Sequence, residues 1–163
     1  MRIYIATAYP KAAELAIPYV KRLETVGIGI TCKWWEVAAK TCYPPLPRVP
    51  ETELPLDEQK RIALNDLQGV RDADIVWLMS PGSAGPREGE YMYAGFAPAY
   101  SGGTGCWFEM GYAFALGKTV VYSGHPRTIF SSLVAKQFAE HEGAFEYIVG
   151  ESGRRIFSEK LPR

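Results

Sequence analysis

The chain has 163 residues, 47% hydrophobic and 22% charged, the make-up of one ordinary globular domain with room for a sizeable core. Eighteen basic residues balance eighteen acidic ones, so no overall field points to a nucleic acid polymer or an anionic membrane surface as partner. Cys32, Cys42 and Cys106 form no CxxC pair and stand beside only two histidines, which argues against a zinc site and suits a reducing, cytoplasmic setting.

In chain order, Arg2–Ala6 reads as a short apolar strand of a central parallel sheet. The N-terminus enters this strand at once, so no signal peptide is expected. No apolar window long enough to cross a membrane follows. Pro10 suits a helix start, and Ala12, Leu15, Tyr19, Leu23 and Val26 recur at helical spacing from about Lys11 to Thr25. Pro18 interrupts that pattern, which predicts a kink or a late start. A second strand is expected over Ile28–Trp35, giving a right-handed β-α-β unit. Five prolines between Thr41 and Leu56 exclude helix and central strand there, leaving a linker, a lid or a stiff ordered loop near a site mouth. A helix then starts near Leu56, followed by a fully apolar third strand, Ala73–Met79.

The segment from Ser80 to Ser101 reads as a long aromatic-rich loop after the carboxyl end of a central strand, where open α/β sheets bind ligands. Next comes Gly102–Val121, the stretch that carries the most chemistry: a glycine turn, an apolar helix over Cys106–Leu116, a C-cap at Gly117 and a strand. Glu109 is the only charged residue of that helix. A helix apolar on nearly every face is expected to be buried, and a carboxylate there needs a partner or a use. Near the first turn, free N–H groups and the helix dipole would keep it ionised. It reads either as a nucleophile or as an ordinary residue stabilising a helix start. An amphipathic piece at Ile129–Val134, a short strand at Gln137–Phe138 and a last helix over about Glu140–Val149 complete the chain.

The sequence has no phosphate-binding GxxxxGK[ST], no GxGxxG after a strand, no HExxH and no Gly-x-Ser-x-Gly elbow. His125 and His141 have no evident nucleophile to serve. Carboxylate chemistry remains, and the candidates for a second acid are Asp66, Asp72 and Asp74. Asp72 and Asp74 read as turn residues before the third strand. Asp66 reads as a solvated helix residue unless its helix converges with that of Glu109, in which case the two would make a glycosidic acid pair.

Three places carry a resemblance to the nucleoside 2-deoxyribosyltransferase family, which includes the 2'-deoxynucleoside 5'-phosphate N-hydrolases. They are Ile3-Tyr4-Ile5-Ala6; Asn65-Asp66-Leu67 with Ala73-Asp74-Ile75-Val76; and Gly105 to Val121, with its Glu-hydrophobic-Gly-x-Ala and Gly-Lys. The resemblance implies a doubly wound, flavodoxin- or Rossmann-like α/β domain with a five-stranded parallel sheet and helices on both faces, spanning the whole chain. It implies that Glu109 attacks C1' of a deoxyribose, that Tyr4 orients it and that Asp66 assists departure of the base. Tyr9 would lie near the base, although packing at the rim explains it as well. Ala6, Thr7, Ser101, Gly103, Thr104 and Gly105 would line the substrate site. No cofactor or metal is called for, and a homo-oligomer, dimer or larger, is expected.

The turn before Glu109 lacks the acidic residue that the family's transferases often carry, and the chain's only asparagine, Asn65, cannot supply their late 5'-hydroxyl contact. Lys11, Arg87, Ser101 or Thr104 would then meet a 5'-phosphate. The expected activity is deoxyribosyl transfer between bases, with hydrolysis of a 2'-deoxynucleoside 5'-monophosphate as the alternative. A nucleotide- or ADP-ribose-type binding module on the same scaffold is the non-enzymatic alternative.

Overall fold

The computed structural model describes residues 1–7, 9–36, 54–80, 104–124 and 129–160, with the backbone alone at 9–14, 104, 129–130 and 155–160. Five parallel strands, β1 (Arg2–Ala6), β2 (Gly29–Ile30), β3 (Ile75–Met79), β4 (Thr119–Ser123) and β5 (Lys136–Phe138), lie in the order β2-β1-β3-β4-β5. Tyr4 pairs with Val76 and Val76 with Val120 across the three central strands. This is the doubly wound arrangement expected from the sequence, and its strand order reverses between β1 and β3.

Alternation along the strands divides the core into two layers. Ile3, Ile5, Ile75, Trp77 and Val121 face α1 (Tyr9–Thr25) and α4 (His141–Lys160), meeting Ala16, Val20, Leu23, Ala144 and Ile148. Tyr4, Ala6, Val76, Leu78, Val120 and Tyr122 face the other way, against α2 (Leu56–Asp72) and α3 (Thr104–Ala115), through Val70, Cys106, Met110 and Ala113. Asp57 and Glu58 stand in the first turn of α2, where the dipole favours them. Gly117 closes α3 with φ of 65°, while Lys118 N–H reaches back to the Ala113 carbonyl. No described helix is long and apolar enough to cross a membrane.

Four expectations are corrected. Helix α1 begins at Tyr9 and runs through Pro18, whose missing donor is tolerated on an exposed face. The second strand ends at Ile30, because the Trp34 indole N–H turns back to the Ile5 carbonyl at 2.8 Å and Trp35 enters the core. Helix α4 continues to Lys160, past Gly150 and Gly153, with Ser152 buried and Arg154 paired to Glu151 at 2.7 Å. Helix α3 is not buried all round: Cys106, Met110 and Ala113 form its inner stripe, while Phe108 is 66% exposed.

The loops expected at 41–56 and 80–101 fall outside the described residues except at 54–56 and Ser80. Cys42 and His125 lie outside them as well.

Candidate active site

Helices α2 and α3 lie side by side on the layer that covers β1 and β3, with their N-terminal halves toward the carboxyl ends of the strands. Between them opens a cavity of about 280 Å³, lined by Gln59, Ile62, Ala63, Asp66, Leu67, Gly105, Phe108 and Glu109. All of these lining residues stand on α2 and α3. The cavity walls combine apolar side chains with two carboxylates contributed by different helices.

Glu109 is half-buried, and the Tyr4 hydroxyl donates to its Oε1 at 2.6 Å. The two residues are 105 positions apart in sequence. Tyr4 is wholly buried in the middle of β1, and burial, followed by the charges of Glu109 and Asp66, pushes its pKa well above the usual tyrosine value. The phenol accordingly stays protonated and acts as a fixed donor. A short O–H···O⁻ bond of this kind favours the ionised carboxylate and sets the direction it faces. Helix α3 starts at Thr104, so Glu109 stands in the second turn and its first turn holds no acid. Glu109 thus stands beyond the first-turn N–H groups expected to stabilise it, and the Tyr4 phenol is a hydrogen-bond donor to it.

Asp66 lines the same cavity from α2, and the Cys32 thiol lies 3.6 Å from its Oδ1. Asp72 and Asp74 are elsewhere. Asp74 accepts the Arg2 backbone N–H at 2.7 Å at the amino end of β3, and Asp72 accepts Gln68 Nε2 at 3.0 Å. Both are structural.

A residue that sequence reasoning passed over allows this closeness. Gly69 is buried in α2, one turn after Asp66, and a Cβ there would stand 2.6 Å from Cys32 Cβ and 2.9 Å from Tyr4 Cδ2. Glycine lets the backbone of α2 press onto β1 and onto the chain after β2. A buried glycine in mid-helix was the available signal, since it lowers helix propensity without any turn to justify it.

Of the other expected site residues, Gly105 lines the cavity. Ala6 and Thr7 are buried at the carboxyl end of β1, with Ala6 packed in the layer beneath α2 and α3, and neither lines the cavity among the described residues. Tyr9 and Thr104 occupy the first positions of α1 and α3, and Lys11 lies in α1, with side chains outside the description. Ser101, Gly103 and Arg87 fall outside the described residues. Gln59, Ile62, Leu67 and Phe108 are lining residues that the sequence reading did not single out.

Protein-family models give no match to the chain, and no curated protein matches it. Among solved structures it is similar to the Clostridium botulinum CMP N-glycosidase BcmB, with a TM-score of 0.47 and 12% sequence identity over 91% of this chain and 98% of that one.

Proposed function

We propose that this protein breaks the N-glycosidic bond of 2'-deoxynucleosides through a covalent deoxyribosyl–Glu109 intermediate and passes the sugar to a second base. In the first step a Glu109 oxygen bonds to C1' as the C1'–N bond breaks. The electron pair leaves with the base, to which Asp66, protonated at the start, delivers its proton. In the second step a nitrogen of the acceptor base takes C1' from Glu109, restoring the carboxylate, and its proton returns to Asp66.

A 2-deoxy sugar lacks the electron-withdrawing hydroxyl beside C1', so positive charge there is more easily borne. A preorganised anion both stabilises and captures it. Tyr4 would hold that anion in register, and Ile62, Leu67 and Phe108 offer apolar surface for a base. The observation that carries the reading is the 2.6 Å Tyr4–Glu109 hydrogen bond on a cavity that Asp66 also lines. The resemblance of the same three residues to the deoxyribosyltransferase motifs supports it independently.

The test is to incubate the protein with each 2'-deoxynucleoside and its 5'-monophosphate, with and without a free acceptor base, beside the ribo-counterparts, and to separate the products. A new deoxynucleoside is the expected result. Free base without acceptor would make the protein a hydrolase, and binding without turnover would overturn the enzymatic reading.

A further inference from the structure

We infer that Cys32 is a positioning residue for Asp66, its thiol donating to Asp66 Oδ1 while accepting from the neighbouring Asn65. Its role in turnover rests on the reaction proposed above; its effect on Asp66 does not.

Cys32 is buried just beyond β2, and the chain on both sides of it is tied to β1. Thr31 N–H bonds the Ile3 carbonyl at 2.9 Å, and the Trp34 indole bonds the Ile5 carbonyl at 2.8 Å. The cysteine Cβ is thereby held against α2 at Gly69, one turn from Asp66. Asn65 Nδ2 donates to Sγ at 3.1 Å, and Asp66 Oδ1 lies 3.6 Å from Sγ. With a donor on one side of the sulfur, the thiol hydrogen has Asp66 as its acceptor on the other.

Burial, and then the Asp66 charge, pushes the thiol pKa up to about 12. The group therefore keeps its proton across any working pH and is a donor rather than a nucleophile. The titratable groups around it are Asp66, Glu109 and Tyr4, and the last two are already joined to each other. Cys32 thus does for Asp66 what Tyr4 does for Glu109: a donor fixed on the sheet side orients an acid carried by a helix.

A donor to the charged form of an acid lowers its pKa, and removing the donor raises it. The test follows the Asp66 side-chain carbonyl by ¹³C NMR against pH in wild type, Cys32→Ala and Cys32→Ser, with Asp66→Asn for assignment. The Asp66 midpoint should rise in Cys32→Ala and return toward wild type in Cys32→Ser. Base release should show a three- to tenfold fall in kcat for Cys32→Ala, roughly the worth of a weak donor, with KM within about twofold. Cys32→Ser should restore most of that loss, and Cys32→Ala should add nothing on the Asp66→Asn background.

An unmoved Asp66 titration, or a serine variant that behaves as the alanine one, would overturn the inference. Should Cys32→Ala fail to fold, the S–H infrared band of Cys32 decides, read with Cys42 and Cys106 replaced by alanine. It moves to higher frequency in Asp66→Ala if the bond exists, and an unchanged band refutes it. A wild type that releases no base from any substrate, while its Asp66 titration answers to Cys32, would sink the glycosidic reading and leave the positioning role supported.

Discussion

Gly69→Ala isolates the contact on which the site geometry depends. An added Cβ would stand 2.6 Å from Cys32 Cβ and 2.9 Å from Tyr4 Cδ2, against about 3.5–4 Å for ordinary carbon contact. Cys32 Cβ is fixed by the backbone, and the Tyr4 ring is held by its bond to Glu109, so neither yields easily. Helix α2 must instead retreat by roughly 1 Å and take Asp66 with it. Alanine is better than glycine in a helix by about 1 kcal/mol, whereas overpacking costs about 1–3 kcal/mol. The net loss of stability is then about 0–2 kcal/mol, a melting shift of roughly 0–8 °C. Catalysis is more sensitive, because a 1 Å misplacement costs on the order of 100-fold in rate. The assays are a circular-dichroism melt and steady-state base release from a deoxynucleoside. A variant that turns over within about twofold of wild type, with no loss of stability, would refute the claim that the approach of α2 to β1 positions Asp66.

The Tyr4 hydroxyl donates to a carboxylate, a bond worth about 1.5–3 kcal/mol, so Tyr4→Phe should lower base release roughly 10- to 100-fold with little unfolding, and unchanged kinetics would deny Tyr4 its orienting role. On the opposite layer, Trp77 Nε1 donates to Ser123 Oγ at 2.8 Å, which in turn meets His141 Nδ1 at 2.7 Å. Burial holds His141 below its ordinary value of 6.5, so as pH falls below that value the unfolded chain takes up a proton that the folded one resists. Stability should therefore be lost from about pH 6.5 down toward the lower folded-state pKa, and His141→Gln should flatten that part of a melting-temperature profile; an identical slope in the variant would contradict it. Cys32 and Cys106 are buried with their thiol pKa values pushed up, so both should resist alkylation in the native protein and react once it is unfolded, as peptide mass spectrometry would show.

The sheet was legible because its strands obey simple rules. Ile75–Met79 is apolar on both faces and is central, and Gly117 takes the positive φ that a helix stop requires. The elements that were misjudged are those in which tertiary contacts override local preference. Trp34 and Trp35 look like strand residues, yet a bond from one to β1 and burial of the other turn the chain out of the sheet. Gly150 and Gly153 weaken any helix read locally, but α4 passes through both with Ser152 buried between them.

Within the site, Glu109 was legible as the only charge on an apolar helix, and the resemblance named Tyr4 and Asp66 with it. Local pattern alone could not pair Tyr4 with Glu109, since the two lie 105 positions apart; only the resemblance did. Gly69 left only the cue of a glycine inside a helical pattern, and Cys32 left none. One works through a missing side chain, and the other through a contact that forms only when α2 packs on the chain beyond β2.

Trapping the intermediate is the most direct test. The protein is mixed with a 2'-deoxynucleoside without acceptor, quenched in acid and digested, and the peptide carrying Glu109 is weighed. The account predicts one deoxyribosyl unit on Glu109, absent in Glu109→Gln, whose turnover falls by roughly 10³-fold or more. Turnover by wild type with no adduct on Glu109, or base release that survives in Glu109→Gln, would contradict it.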